Sequence, residues 1–128
     1  MHRTVVVRTE DAPAPFQGAP YSQALKAGNF VFVSGQLGLK PGDTRITGTI
    51  QEQTDQVFRN LGAILQAAGS SLDRIVKTTV FLANLGDFQG MNEVYAQHVG
   101  EDRPARSTVE VAALPSGALV EIEAIATV

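Results

Sequence analysis

The chain has 128 residues, of which 44% are apolar and 18% charged, with 10 basic against 13 acidic side chains. These proportions are typical of a globular domain and exclude a disordered chain, while the lack of cysteine excludes disulfides and thiolate chemistry. Singly scattered basic residues disfavour a nucleic-acid surface, and no apolar run has the length of a membrane helix. We therefore expect one cytoplasmic domain over residues 1–128, with no nucleic-acid or membrane partner.

The N-terminal part of the chain predicts three strands. The β-branched run from Arg3 to Arg8 is typical of a strand, and a Pro- and Gly-rich loop follows it. The segments SQALKAG (residues 22–28) and FVFVSGQL (residues 30–37) predict a hairpin that turns at Gly28-Asn29.

A helix is predicted next, from about residue 50 to about residue 68. Thr49 and Glu52 have the spacing of a capping box, and Gly69 stands where such a helix would end. Apolar residues recur on one helical face at Ile50, Val57, Leu61, Ile64, Leu65 and Ala68.

The C-terminal half predicts a strand, a second helix and two final strands. Residues 74–84 form the strand, and Asp87 can cap a helix whose apolar face holds Phe88, Met91, Val94, Tyr95 and Val99. The last two strands, in residues 105–114 and 118–128, flank a turn at residues 115–117. If these two strands pair antiparallel, Glu121 lies roughly opposite residues 112–114, and a contact with Arg106 within one chain does not follow.

The element order β-β-β-α-β-α-β-β predicts an α+β sandwich, with both helices on one face of a mixed six-stranded sheet. Apolar residues occur on both faces of the central strands, residues 30–35 and 74–82. Two helices cover only one face, so we expect the other face to meet a second subunit. A monomer whose loops cover that face is the alternative.

Few residues in the chain could carry chemistry. Ser34 precedes a glycine but lacks the G-x-S-x-G elbow, and the two histidines, His2 and His98, are too far apart to suggest a catalytic triad or a metal site. The remaining candidates are carboxylates and Arg106, whose planar fork suits a carboxylate or a phosphate. Glu121 projects from the same strand face as Glu123, for which a solvated surface position is the favoured interpretation, as for Glu110.

The segment RPARSTVEVAALPSGALVEIEAIA (residues 103–126) resembles the signature of the RidA (reactive intermediate deaminase, also called YjgF) family. Four further segments fall in the order and spacing of that family: PYSQAL (20–25), VFVSGQL (31–37), AAGSSLDRIVKTTVFLANLGDF (67–88) and MNEVY (91–95). The resemblance covers essentially the whole chain.

The resemblance implies a chorismate-mutase-like fold in a homotrimer with active sites between subunits. It implies cofactor-free and metal-free hydrolysis of 2-imino acids, such as 2-iminobutanoate and 2-iminopropanoate, to 2-oxo acids and ammonia. By position, Arg106 would bind the substrate carboxylate and Glu121 would activate water. The implied cleft residues are Tyr21, Ser34 as a hydrogen-bond donor, Gly35, Asn92 and Thr108, which stands where the family often has cysteine.

Alternatives stay open at this point. Some proteins that resemble this family have been ascribed ribonuclease or translation-inhibiting activity, which the acidic balance of this chain disfavours. A non-catalytic trimer that binds a metabolite or acts as a chaperone is a third class. The presence of both Arg106 and Glu121 favours an enzyme, because carboxylate binding alone needs only the arginine.

Overall fold

The computed structural model describes residues 3–128 and contains one six-stranded sheet with two helices. The strands are β1 (Thr4–Val7), β2 (Ala24–Ala27), β3 (Phe30–Leu37), β4 (Ile75–Leu82), β5 (Ala105–Glu110) and β6 (Val120–Thr127), and the helices are α1 (Ile50–Ala67) and α2 (Phe88–His98). The strand order is β1-β2-β3-β6-β4-β5, with β4 and β5 parallel and all other neighbours antiparallel. The predicted α+β sandwich with a mixed sheet is confirmed.

The antiparallel pairing considered for the last two strands is wrong. β5 runs parallel to β4 at the edge of the sheet, whereas β6 lies antiparallel between β3 and β4. The connection from β4 to β5 contains α2, and parallel neighbours need a crossover of this kind. β6 takes a central position because alternate residues along it are fully apolar and buried, at Val120, Ile122, Ala124 and Ala126.

Helix α1 forms as the sequence predicts. Thr49 Oγ1 accepts a hydrogen bond from the backbone N–H of Glu52 at 3.2 Å, and Glu52 Oε1 accepts one from the N–H of Thr49 at 3.0 Å. The chain leaves the helix through Gly69, whose φ of 83° favours glycine. All six residues of the predicted apolar face are buried in the core between the helix and the sheet.

Helix α2 begins differently from the prediction. The side chain of Asp87 makes no capping hydrogen bond to the described part of the chain. Asn84 instead accepts one from the N–H of Gly86 at 2.7 Å, which supports a short 3₁₀ turn that leads directly into α2. Met91 and Tyr95 are buried as expected, but Phe88 is 38% exposed at the start of the helix, where its ring centroid lies 5.5 Å from Cζ of Arg106 on the edge strand β5. Within residues 3–128, neither helix combines the length and apolarity needed to cross a bilayer.

The sheet face opposite the helices is uncovered in the described part of the chain, and it carries both an apolar row and the polar side chains Lys77, Glu121 and Glu123. The apolar row consists of residues that lie directly opposite one another on the adjacent strands β1, β2, β3 and β6: Val6, Leu25, Phe32 and Ile125. Val6, Phe32 and Val109 are 47%, 46% and 43% exposed. Monomeric proteins rarely leave such contiguous apolar area in water. The expectation that the helices cover only one apolar face is confirmed, and we call the other one the open face.

Candidate active site

A β-bulge in strand β3 shapes the first group of candidate residues. Val33 lies opposite Ala124 and Gln36 lies opposite Ile122, so β3 holds one more residue than β6 over this stretch. The additional residue of the bulge lies at Ser34 and Gly35, which together stand opposite the single residue 123 of β6. The Ser34 hydroxyl donates to the carbonyl of Ser22 at 2.6 Å, which fastens the bulge to the end of the preceding loop.

The bulge brings Gly35 against the carboxylate of Glu121. A β-carbon at position 35 would lie 2.7 Å from Glu121 Oε2 and 2.9 Å from Cδ, so only glycine admits the carboxylate in this position. Glu121 is half-buried, and burial, followed by repulsion from Glu123, raises the pKa of its carboxyl. A carboxyl in this environment can accept and return a proton at a pH closer to neutral than an exposed one.

A pocket of about 700 Å³ opens beside Glu121. Four predicted residues, Tyr21, Ser34, Gly35 and Glu121, line it. Glu123 lines it as well, although the sequence favoured a plain surface position for this residue. The lining drawn from residues 3–128 contains two glutamates and no lysine, arginine or histidine. We call this the acidic pocket.

Local hydrogen bonds fix the loop that walls the acidic pocket. The Tyr21 hydroxyl accepts from the backbone N–H of Phe16 at 2.6 Å and closes a turn in which Gln17 has a φ of 54°. Buried Gln23 donates through Nε2 to the carbonyls of Thr9 and Pro13 at 3.0 and 2.8 Å. The sequence showed Gln23 only as part of PYSQAL, with no signal of this supporting role.

Arg106 and Asn92 lie at a second, smaller pocket of about 280 Å³, between α2 and the start of β5. Arg103 and Tyr95 line it too, and no carboxylate contributes to its lining among the described residues. The Cζ atom of Arg106 lies 4.7 Å from the ring centroid of Tyr95. Within residues 3–128, the Arg106 side chain has neither a hydrogen bond nor an ion pair. We call this the basic pocket.

The acidic and basic pockets lie on opposite faces of the sheet. Arg106 is in register with Thr78 of β4, and Glu121 is in register with Phe81 of the same strand. Register partners share a face, and residues three apart on one strand point to opposite faces. Arg106 therefore lies on the helix face and Glu121 on the open face, and a single chain does not bring them together.

The remaining candidates are also placed. Thr108 lies opposite Val80 on the same face as Arg106, outside the lining of either pocket. His98 bonds through Nε2 to Asp55 Oδ1 at 2.8 Å and stacks on Phe58, whereas His2 is outside the described residues. Across residues 3–128, no three His, Cys, Asp or Glu side chains cluster in a way that could hold a metal ion.

Comparison with known proteins identifies the family. The family model described as Endoribonuclease L-PSP matches residues 9–128. The chain belongs to this family. The L-PSP match includes every candidate residue from Tyr21 to Glu121, and so both the acidic and the basic pocket.

Individual relatives match over nearly their whole length. A RutC family protein of Pyrococcus horikoshii is 53% identical over 122 residues, which cover 94% of this chain and 95% of the relative. The 2-iminobutanoate/2-iminopropanoate deaminase of Mus musculus is 45% identical over 94% of this chain and 89% of its own. The crystal structure of RidA from the Antarctic bacterium Psychrobacter aligns with a TM-score of 0.92 and 45% identity, over 97% of this chain and 99% of that one. The predicted membership of the RidA family is confirmed.

Proposed function

We propose that the protein hydrolyses 2-imino acids to 2-oxo acids and ammonia, in clefts between the subunits of a homotrimer. The observation that carries this proposal is the charge separation between the two pockets. The acidic pocket holds Glu121 and Glu123, while the basic pocket holds Arg103 and Arg106. A 2-imino acid carries a carboxylate next to a basic nitrogen, so its two ends match the two pockets. The similarity to the mouse 2-iminobutanoate/2-iminopropanoate deaminase supports the same activity.

A cleft between subunits reconciles this chemistry with the opposite placement of the pockets. The open face presents Phe32 and Val109 to a neighbour, and covering it stabilises an oligomer by apolar burial. In a closed ring, each copy gives its Arg106 to one neighbour and its Glu121 to the other. Three such clefts form in a homotrimer, each with one acidic and one basic half.

The residues of such a cleft suffice for the reaction. Arg106 binds the substrate carboxylate through two parallel hydrogen bonds and so fixes the imine carbon. Glu121 takes a proton from the water that attacks this carbon of the protonated imine (C=NH2+), and a tetrahedral carbon with hydroxyl and amino groups forms. Glu121 returns the proton to the amino nitrogen and then takes the hydroxyl proton as the C–N bond breaks and the C=O of the 2-oxo acid forms. The released ammonia carries this last proton away as ammonium, which restores the Glu121 carboxylate. The raised pKa of Glu121 suits these transfers.

The other cleft residues take supporting roles in this proposal. The Tyr21 hydroxyl accepts from Phe16, which leaves its own proton free for the ligand. Ser34 donates its proton to Ser22, so it acts on a ligand as an acceptor and not as the donor that the sequence suggested. Asn92 lines the basic pocket with Arg106 and can bond to the same carboxylate, whereas Thr108 lies outside that lining and is assigned no contact with the ligand.

A coupled trapping assay tests the function. A PLP-dependent threonine dehydratase generates 2-iminobutanoate in the presence of semicarbazide, and semicarbazone formation is followed with and without the protein. We expect the wild-type protein to suppress trapping and the Arg106→Ala variant to leave it unchanged. Equal trapping with and without wild-type protein would contradict the proposal. RNA cleavage that survives repurification and depends on Arg106 would support the endoribonuclease function that the family description names instead.

A further inference from the structure

The guanidinium of Arg106 lies over two aromatic rings of α2. Its Cζ atom is 4.7 Å from the ring centroid of Tyr95 and 5.5 Å from that of Phe88. Both distances are within the range in which a cation is attracted to an aromatic face. These contacts use the planar face of the guanidinium, so the N–H groups around its edge stay available for a carboxylate.

The Tyr95 ring is itself held firmly. Tyr95 is 6% exposed, and its hydroxyl lies 2.7 Å from Oγ1 of fully buried Thr78. Phe58 packs edge-on against the same ring, with centroids 5.3 Å apart. Thr78 is the register partner of Arg106 on the neighbouring strand. The ring is therefore anchored to the strand pair that carries the arginine.

We propose that the Tyr95 ring is the positioning group that presents the Arg106 guanidinium to the substrate carboxylate. This inference rests on the proposed function, because it assigns Arg106 a carboxylate ligand. Phe88 assists from the exposed side. A free arginine side chain loses rotamer freedom when it binds a ligand, and a guanidinium already held on a ring loses less. Tyr95 thus sets carboxylate affinity without touching the reacting atoms.

Variants at position 95 separate the ring from its hydroxyl anchor. Tyr95→Leu removes the ring and should raise KM for the imine and the Kd for the product analogue 2-oxobutanoate by about tenfold, with kcat changed far less. The double variant Tyr95→Phe/Thr78→Val keeps the ring and removes both hydroxyls, so it should stay within about threefold of wild type for both constants. Leu61→Ala, which truncates a fully buried core residue of α1, serves as the control for general destabilisation.

A spectroscopic readout tests the positioning independently of catalysis. The Arg106 Nε–Hε signal, assigned by its loss in Arg106→Lys, should show restricted motion by ¹⁵N relaxation in wild type and the double variant, and free motion in Tyr95→Leu. If restriction is seen but no 2-oxo acid binds, the proposed function fails while the contact with Tyr95 stands. If Tyr95→Leu leaves both the Arg106 relaxation and the 2-oxobutanoate Kd unchanged, the inference is overturned. Equal weakening of binding in Leu61→Ala and Tyr95→Leu overturns it as well.

Discussion

Gly35 and Glu121 are in direct contact across the bulge of β3, and the carboxylate occupies the space that a side chain at position 35 would take. A β-carbon there would approach Glu121 Oε2 to 2.7 Å. The backbone of Gly35 is not in the positive-φ region, so steric space, rather than conformation, requires glycine here. The proposed catalytic carboxylate can therefore occupy this position only because residue 35 on the neighbouring strand has no side chain.

We expect Gly35→Ala to reduce kcat/KM about a hundredfold while leaving the free energy of unfolding within about 1 kcal/mol. The added methyl group displaces the flexible end of Glu121, and the sheet itself need not shift. Steady-state kinetics and chemical denaturation check the two quantities. Gly100→Ala is the matched control, because no atom lies within 4 Å of its added carbon and its φ is not positive. An active Gly35→Ala variant would show that the position of Glu121 is not critical.

Glu121→Gln should abolish turnover and yet stabilise the fold at neutral pH. Because the pKa of Glu121 is raised in the native state, the native protein binds more protons than the unfolded chain at pH values between the two pKa values. Its ionisation therefore costs stability as pH rises from its ordinary value near 4.5 through the raised native value. In thermal melts, the Tm of the variant should be higher than that of the wild-type protein at pH 8 and equal to it below pH 4. A variant that melts earlier than wild type at pH 8 would contradict this account of burial.

Glu123→Gln should move the acidic limb of the kcat/KM profile to lower pH. Repulsion from Glu123 is the second cause of the raised pKa of Glu121, after burial. Without that negative charge, the ionised form of Glu121 is easier to reach, so its pKa falls and the active base persists at lower pH. Rate measurements across pH 4 to 9 check the shift. A limb displaced upward, or one that stays in place, would rule out this coupling.

Phe32→Asp should convert the proposed homotrimer to an inactive monomer. Phe32 is 46% exposed in the centre of the open face, and a carboxylate there cannot be buried against a neighbour without a large desolvation cost. Light scattering gives the mass, and the trapping assay gives the activity. Gln97→Asp places the same charge on the exposed side of α2 and should leave both unchanged. A trimeric, active Phe32→Asp protein would show that this face is not the interface.

Local features of the fold could be predicted from the sequence, because their causes lie within one segment. The Thr49–Glu52 capping box and the apolar period of α1 are both contained in neighbouring residues, and both are found as expected. The pairing of β5 could not be read in the same way. A strand that follows another after a short turn looks like a hairpin partner, and only the packing of α2 and the apolar alternation of β6 decide otherwise.

The candidate site shows the same division. The resemblance implies that Glu121, Tyr21 and Ser34 belong to one cleft, and these residues do meet in the acidic pocket. It could not show that Arg106 faces the opposite way, because that depends on register with β4. The sequence predicts Tyr95 only as a core residue, because an aromatic on the apolar face of a helix gives the same pattern whether or not a cation lies over its ring.

The most direct test of the composite cleft is complementation between two inactive variants. The Arg106→Ala and Glu121→Gln proteins are unfolded together, refolded as a 1:1 mixture and assayed for imine hydrolysis. If each cleft takes its arginine and its glutamate from different chains, randomly mixed trimers regain about a quarter of the wild-type activity. Recovery of that size would establish the shared cleft. No recovery, in a sample whose mixed trimers are verified by native mass spectrometry, would contradict it.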